Sequence, residues 1–267
     1  MRLFIIAVFL ASLLNANEVE KQQSIDDDVL IKNTILLAHK QNYVQFLSYD
    51  FQKQIDNRDD KEASFQISVK RELFSNIFDY DISFYAAFTQ KSFWQIYDDK
   101  NSRPFRETNY NPEIFLSSAF SNNIQSHYLK SWNFGLEHES NGQSTATSRS
   151  WDRAYVKFFL KKDNFRGDFK LWNRFEEEKK KDMNDPHGDD NPDIINYYGN
   201  GETNIYYSFG EKEVGLFLRK NAFGVEITKL FHKKQYLFIK YFEGYGESLI
   251  DYDIKTKKLG FGLMLNK

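Results

Sequence analysis

A histidine and a serine, His138 and Ser140, lie two positions apart near the middle of the chain, and an aspartate, Asp152, follows in the next segment. A histidine can accept the proton of a serine hydroxyl while the hydroxyl oxygen attacks an ester, and a carboxylate can orient the imidazole and stabilise its protonated form. These residue types predict a nucleophile (Ser140), a general base (His138) and an orienting acid (Asp152). Because His-x-Ser is a common tripeptide, the chemistry requires a backbone that brings the three side chains to one face.

The elements that must position these residues are predicted to be β-strands. From about Ser64 onward, segments of roughly 8–12 residues alternate with turn residues such as Asp163-Asn164 and Gly199-Asn200-Gly201. No segment of this region keeps a helical period, so we predict an all-β fold. The predicted strands are Ser64–Leu73, Tyr80–Gln90, Glu113–Phe120, His127–Ser140, Asp152–Lys161, Phe165–Phe175, Glu202–Phe209, Val214–Lys220, Phe223–Phe231, Gln235–Gly244, Glu247–Asp253 and Lys258–Asn266.

One face of the predicted strand His127–Ser140 carries both the histidine and the serine. Residues i and i+2 of a strand lie on the same face, about 6.5–7 Å apart between Cα atoms, so the imidazole and the hydroxyl can meet. The apolar face of the next strand begins at Asp152, which places its carboxylate one strand away on the same side. The residues of the first face are Trp132, Phe134, Leu136, His138 and Ser140.

The composition excludes several classes of protein. The chain has 267 residues, no Cys, and 36 Lys+Arg against 38 Asp+Glu. The absence of Cys excludes disulfide scaffolds, thiolate metal sites and cysteine nucleophiles, and the near-neutral charge argues against a nucleic-acid partner. A mean hydropathy of −0.64, with no apolar run of ~18–20 residues beyond the N-terminus, excludes a helical membrane bundle.

The N-terminus carries the features of an export signal. Met1-Arg2 precedes a short apolar stretch, Leu3–Leu14, and the small residue Ala16, so we predict a signal peptide over residues 1–16. Residues 17–62 are more polar and are predicted to form an irregular periplasmic segment, in which Val29–Ala38 suits a short helix. The barrel is predicted over residues 63–267. An exported chain without Cys fits a bacterial envelope.

Alternating faces also distinguish two kinds of β-barrel. A soluble barrel turns its polar face to water, whereas a transmembrane barrel turns its apolar face to lipid and keeps its polar face inside. Export, 26 Phe, 16 Tyr and only 4 Pro favour a twelve-stranded antiparallel transmembrane β-barrel in the bacterial outer membrane over a soluble barrel. Catalytic groups on its outer wall would meet only substrates in the bilayer, which points to lipid ester hydrolysis. The alternatives are a passive porin-like channel and a structural barrel in which His138 and Ser140 are incidental.

Several sequence blocks resemble the bacterial outer membrane phospholipase A family. The longest runs from His138 to Arg153, and the others are Thr89–Trp94, Pro104–Tyr110, Asp189–Asp193 and Gly244–Tyr252. They occur in order over roughly residues 40–267, and together they are highly specific. The resemblance implies a twelve-stranded outer membrane barrel and calcium-dependent hydrolysis of phospholipids at the sn-1 and sn-2 esters. It also implies activation by homodimerisation.

The resemblance assigns roles at the positions that match. Ser140 matches the nucleophile and His138 the base, and the backbone amide of Gly142 matches a donor to the oxyanion. Asp152 stands where better-known members have Asn, which makes this a Ser-His-Asp set. A carboxylate should favour the imidazolium more strongly than an amide does.

Calcium ligands and a dimer contact are also implied by the resemblance. The Gln143 carbonyl and the Ser148 hydroxyl would supply oxygens from one chain, Ser102 would supply one from the dimer partner, and Asp190 matches another calcium-linked position. Thr145 stands where the family typically has Asp, so we expect weaker calcium binding, or compensation by Asp152, because affinity depends on the number of charged ligands. Gln90 matches a polar residue of the dimer interface. The charge run Glu176–Lys181 is predicted to be a solvated loop.

Overall fold

The structure is a computed structural model that describes residues 35–52, 58–120, 128–182, 185 and 188–266. It divides the chain after Ile35, and the sheet lies in the second part, Leu36–Lys267. The predicted signal peptide and residues 17–34 lie outside the described residues. Within the described ranges, no helix is long and apolar enough to span a membrane.

Twelve antiparallel strands close into a barrel. The strand at Asn42–Asp50 (β2) pairs with the strand at Lys255–Asn266 (β13) at one seam, and all the other pairings between these twelve strands join strands that are consecutive in the sequence. A two-residue strand, Leu37–Ala38 (β1), lies beside the strand at Lys61–Phe74 (β3). The strands are β1 (Leu37–Ala38), β2 (Asn42–Asp50), β3 (Lys61–Phe74), β4 (Ser83–Trp94), β5 (Phe105–Ala119), β6 (Leu129–Ser140), β7 (Ser150–Lys162), β8 (Phe165–Arg174), β9 (Gly201–Phe209), β10 (Lys212–Arg219), β11 (Ala222–His232), β12 (Gln235–Tyr245) and β13 (Lys255–Asn266). The prediction of a twelve-stranded all-β barrel is confirmed.

The seam between β2 and β13 is reinforced by side chains at its end. The Asn42 backbone N–H donates to Asn266 Oδ1 at 2.9 Å, and Asn42 Nδ2 donates to the same oxygen at 2.7 Å. Asn266 Nδ2 in turn donates to the Lys40 carbonyl at 3.0 Å. These bonds join residues that are 224 and 226 positions apart in the sequence.

The two faces of the strands differ as a membrane barrel requires. On β6, Phe134 and Leu136 are exposed, whereas Asn133 and Glu137 are buried in the lumen. The luminal charges are paired: Glu137 accepts a hydrogen bond from Lys170 Nζ at 2.7 Å and forms an ion pair with Arg153, whose Nε lies 3.2 Å away. An apolar outer wall around a charged, hydrogen-bonded interior is the pattern of transmembrane barrels.

The barrel begins earlier than predicted. Strand β2 (Asn42–Asp50) lies inside the segment 17–62 that was expected to be irregular, so the boundary at residue 63 is wrong. A register shift between Gln45 and Ser48 interrupts the alternation of this strand, and Tyr43 turns its ring into the lumen side. A bulge of this kind hides the two-residue period. Of the expected helix Val29–Ala38, the described part contains Leu37 and Ala38 in strand β1.

The predicted strand Glu247–Asp253 is also wrong. These residues form the loop between β12 and β13, and Leu249 and Asp251 are buried. The Leu249 N–H donates to Asn109 Oδ1 at 3.1 Å, and the Ile250 N–H donates to Glu107 Oε1 at 3.0 Å. Side chains of β5 therefore satisfy backbone groups that a strand would pair in a ladder. The alternation in the sequence reflects a loop folded into the barrel mouth.

The two ends of the barrel differ in the length of their connections. At one end β7–β8, β9–β10 and β11–β12 are joined by two-residue turns, whereas β3–β4 and β5–β6 are joined by eight and nine residues. At the other end only β10–β11 has a two-residue turn, and β2–β3, β4–β5, β6–β7, β8–β9 and β12–β13 are joined by longer loops. In single-chain bacterial barrels the short turns are periplasmic and the longer loops extracellular. His138 and Ser140 lie at the long-loop end of β6. The β8–β9 loop carries the short helix α1 (Ile194–Tyr198), whose Tyr198 packs on Trp151 with ring centroids 5.2 Å apart.

Candidate active site

His138 and Asp152 meet on the outer wall of the barrel. They are direct partners in the β6–β7 register, and His138 Nδ1 lies 2.9 Å from Asp152 Oδ1. Their side chains are 42% and 48% exposed, which fits positions on the face shared with Phe134 and Leu136. The contact expected from the hairpin register is present. With Nδ1 engaged by the carboxylate, the other ring nitrogen, Nε2, is left to face a substrate or a serine.

Ser140 occupies the next position on the same face of β6. Its register partners are Tyr110 on β5 and Ser150 on β7. Among the described residues no hydrogen bond joins Ser140 to His138. Contacts between a nucleophile and its base are often long in the absence of substrate and tighten in the complex.

Inward-facing residues fix the strand ends beneath this pair. Glu139 lies between His138 and Ser140 but points to the other side, where its Oε2 accepts from Trp151 Nε1 at 3.0 Å and from Arg153 Nη2 at 2.9 Å. Trp151 is fully buried, and the Arg153 guanidinium stacks 3.6 Å from its ring centroid. These contacts hold β6 and β7 together directly below the outward-facing histidine and aspartate.

The loop that follows Ser140 is closed by the side chain of Asn141. This residue is buried; its Oδ1 accepts from the Gln143 N–H at 3.2 Å and the Arg149 N–H at 3.0 Å, and its Nδ2 donates to the Thr147 carbonyl at 2.9 Å. One amide thus satisfies three backbone groups of the loop. Sequence patterns did not single out Asn141 or Glu139, because the role of each comes from partners in the folded loop and lumen.

Gly142 adopts a left-handed backbone conformation with φ 64°. A Cβ atom at this position would lie 3.2 Å from the Tyr110 ring, so both the conformation and the space favour glycine. Within the described part of the chain, no hydrogen bond uses the Gly142 N–H, which leaves this donor available beside Ser140. The position is compatible with the oxyanion role expected for Gly142.

The expected calcium residues are brought together only in part. Ser148 Oγ, in the β6–β7 loop, donates to Asp190 Oδ2, in the β8–β9 loop, at 2.6 Å. Gln143 is exposed in that loop, whereas Ser102 lies exposed in the β4–β5 turn with φ 60°. Thr145 begins a 3₁₀ turn, Thr145–Thr147, but its side chain is outside the described part. Among the described residues, no group of three or more His, Cys, Asp or Glu side chains is arranged to hold a metal ion.

The donors that do meet have the chemistry of a calcium site. Hydroxyl, carboxylate and carbonyl oxygens are the ligands that calcium prefers. The Asp190 carboxylate, however, already forms an ion pair with Lys180. The prediction that Glu176–Lys181 is a solvated loop is therefore wrong for Lys180, whose side chain is only 17% exposed.

Gln90 faces outward on β4, in the same cross-strand row as Ser140. Its register partner is Tyr110, and Tyr110 pairs in turn with Ser140. Gln90 Nε2 donates to Ser92 Oγ at 3.2 Å. A polar side chain thus stands on the outer wall two strands from the candidate nucleophile, where a second molecule could contact both.

The fold defines the class of protein first. A closed barrel of twelve antiparallel strands with an apolar outer wall around a charged lumen is the architecture of bacterial outer membrane β-barrels. Sequence comparison then gives the family. The chain belongs to the phospholipase A1 family, whose sequence model matches residues 15–265, and it is an outer membrane protein.

Named relatives and solved structures agree with this assignment. The chain is 35% identical to the phospholipase A1 of Salmonella typhimurium over 217 residues, which cover 79% of this chain and 72% of the relative. It is 33% identical to that of Escherichia coli K12 over 225 residues, covering 82% and 73%. The outer membrane phospholipase dimer of Salmonella typhi with bound calcium superposes with a TM-score of 0.79 at 30% identity, covering 92% and 95% of the two chains. The outer membrane phospholipase A of Escherichia coli gives a TM-score of 0.78 at 29% identity, covering 87% and 98%.

Proposed function

We propose that this protein is a calcium-dependent phospholipase of A1/A2 type that hydrolyses acyl esters of phospholipids in the outer membrane by a Ser-His-Asp mechanism. The observation that carries the proposal is the outward-facing contact between His138 and Asp152 beside Ser140, on the wall that meets the acyl chains. Membership of the phospholipase A1 family supports the substrate class.

The side chains supply the steps of ester hydrolysis. His138 Nε2 takes the proton of Ser140 as the serine oxygen attacks the ester carbonyl, while Asp152 holds Nδ1 and stabilises the imidazolium. The Gly142 N–H donates to the oxyanion of the tetrahedral intermediate. His138 then gives its proton to the departing alcohol of the lysophospholipid as the ester C–O bond breaks. Water, deprotonated by His138, releases the fatty acid from Ser140 in the same way.

Calcium, when bound, would stabilise the negative charge that develops on the ester oxygen. The residues that would hold it are Ser148 and Asp190, which are already in contact, with the Gln143 carbonyl and Ser102 of a second copy of the chain. The residue at 145 contributes no carboxylate, so the ligand set carries a small negative charge and we expect modest affinity.

A homodimer would complete this site. Gln90 and Ser140 lie in one cross-strand row on the outer wall, so a second barrel that contacts Gln90 also covers the candidate nucleophile. The related Salmonella typhi enzyme forms a dimer. Pairing of two apolar walls would form a cleft for acyl chains and bring the β4–β5 turn of one chain toward the β6–β7 loop of the other.

Replacement of the nucleophile tests the proposal. Ser140→Ala should abolish the release of fatty acid from phospholipid in mixed micelles containing calcium, and the barrel should keep its β-sheet circular dichroism. Ser131→Ala, on the same strand and remote from His138, is the matched control and should retain full release. Fatty-acid release by Ser140→Ala at the rate of the control would refute the mechanism.

A further inference from the structure

The carboxylate of Asp190 lies at the junction of the β6–β7 and β8–β9 loops. Its Oδ2 accepts hydrogen bonds from Ser148 Oγ at 2.6 Å and from Ser150 Oγ at 3.2 Å. Lys180 Nζ forms an ion pair with Oδ1. The two charged side chains are 17% and 8% exposed, so the pair is largely withdrawn from water. A buried pair with additional hydrogen bonds holds its geometry far better than a surface ion pair does.

The backbone of the β8–β9 loop is shaped to bring Lys180 to this carboxylate. The Asp189 N–H donates to the Glu178 carbonyl at 2.7 Å, and Lys179 forms a β-bridge with Asp189. Gly188, with φ 98°, allows the close approach, because a Cβ atom there would lie 2.7 Å from the Glu178 oxygen and 3.0 Å from the Lys180 nitrogen. Only glycine fits this position without distortion.

The two neighbouring aspartates of this loop have different partners: Asp189 pairs with Arg174, and Asp190 pairs with Lys180. Asp189 is already paired with Arg174, which also donates to the Asn191 carbonyl at 3.1 Å. Asn191 Oδ1 accepts from the Ser150 N–H at 3.0 Å. Asn191 and Asp190 therefore attach the β8–β9 loop to the start of β7 at two points. Arg174 contacts the first of these residues and Lys180 the second, and only the Asp190 point coincides with the residues expected to bind calcium.

We propose that Lys180 supplies a fixed positive charge to the active-site loop. Its ammonium group holds Asp190 against Ser148 and Ser150 when no metal is bound, and it competes with calcium for the Asp190 carboxylate. This inference rests on the proposed function, because it uses the expected calcium roles of Ser148 and Asp190. An ammonium ion supplies one charge and three donors, whereas calcium requires 6–8 oxygen ligands. Calcium can therefore use the Asp190 oxygens fully only after Lys180 has moved away.

Calcium binding to the whole protein, folded in detergent micelles and free of substrate, tests this competition by titration calorimetry. Lys180→Gln removes the competing charge and should bind calcium about tenfold more tightly than the wild type. Lys180→Arg keeps the cation and should bind like the wild type. Lys181→Gln is the matched control, since Lys181 is exposed and carries the same charge; its affinity should stay within about twofold of the wild type.

The double variant Lys180→Gln/Asp190→Asn should lose the gain in affinity, because the freed carboxylate is the source of that gain. Equal calcium affinity of the wild type and Lys180→Gln would overturn the proposal, as would a similar gain in Lys181→Gln or no calcium binding by either protein. β-sheet circular dichroism confirms that each variant is folded. The binding measurement is independent of hydrolysis, so failure of this inference leaves the dependence of fatty-acid release on Ser140 intact.

Discussion

Replacement of Asp152 by asparagine isolates the contribution of the carboxylate to catalysis. The amide introduced by Asp152→Asn keeps the size of the side chain and can still accept a hydrogen bond from His138 Nδ1, so the variant removes the negative charge and little else. The proposed mechanism uses this charge when His138 becomes an imidazolium, which occurs in the transition state and not in the resting enzyme. Loss of the charge should therefore lower kcat and leave KM nearly unchanged.

The size of the effect follows from the geometry of the pair. His138 Nδ1 and Asp152 Oδ1 lie 2.9 Å apart, and the two side chains are 42% and 48% exposed. An ion pair that is half-exposed contributes little more than an exposed one, about 1 kcal/mol or less. A hydrogen bond to a charged group contributes about 1.5–3 kcal/mol. We therefore expect a loss of about 1–2 kcal/mol in transition-state stabilisation, which lowers kcat roughly 5- to 30-fold.

The assay is fatty-acid release from phospholipid in mixed micelles at saturating calcium, with kcat and KM measured separately. Asp152→Ala removes the acceptor as well and should be slower than Asp152→Asn. Asp163→Asn, which changes the same charge in the turn between β7 and β8 at the other end of the barrel, should match the wild type. If Asp152→Asn and Asp152→Ala both turn over at the wild-type rate, the carboxylate does not assist His138 and the reasoning is refuted.

Two further predictions concern the loops around the site. Gly142→Ala should reduce kcat roughly 5- to 30-fold, because a left-handed conformation costs a residue with a Cβ about 1–2 kcal/mol. The added Cβ would also lie 3.2 Å from the Tyr110 ring. An unchanged rate in the micelle assay would count against the oxyanion role of Gly142. Burial alone would raise the pKa of Asp251, but Arg106 and Arg58 hold that pKa below its ordinary value. The stabilisation from these pairs is thus present above the ordinary aspartate pKa of about 4 and is lost as the pH falls through the lowered value. Asp251→Asn should lower the free energy of unfolding by roughly 3 kcal/mol at pH 7. Urea denaturation should show that this difference narrows below about pH 4; a pH-independent difference would contradict the assignment.

The contact at the centre of the candidate site could be predicted from the sequence, because its two residues are close together along the chain. His138 and Asp152 belong to one hairpin, so alternation and register alone place them side by side on one face. The same pattern failed for Asn42–Asp50, where a bulge interrupts the two-residue period, and for Glu247–Asp253, where a loop folded into the lumen imitates alternation.

The position of Lys180 could not be derived from its sequence neighbours. Glu176–Lys181 is a run of charges with no internal signal that distinguishes one lysine from the next. Its burial depends on Gly188 and Asp190, which return from the far side of the loop. Likewise, the support that Glu139 gives to Trp151 and Arg153 is visible only after two strands have paired, because all three are inward-facing residues of an ordinary alternation.

The bonds that join Asn42 and Asn266 connect residues 224 positions apart, whereas His138 and Asp152 are separated by 14. Contacts between distant residues form slowly, since a long loop must close first. The hairpin with the reactive histidine can therefore assemble early, while the growing sheet still has two unpaired edges open to other chains. A molecule arrested before strands β2 and β13 pair would carry the contact between His138 and Asp152 on an open sheet that is prone to aggregation.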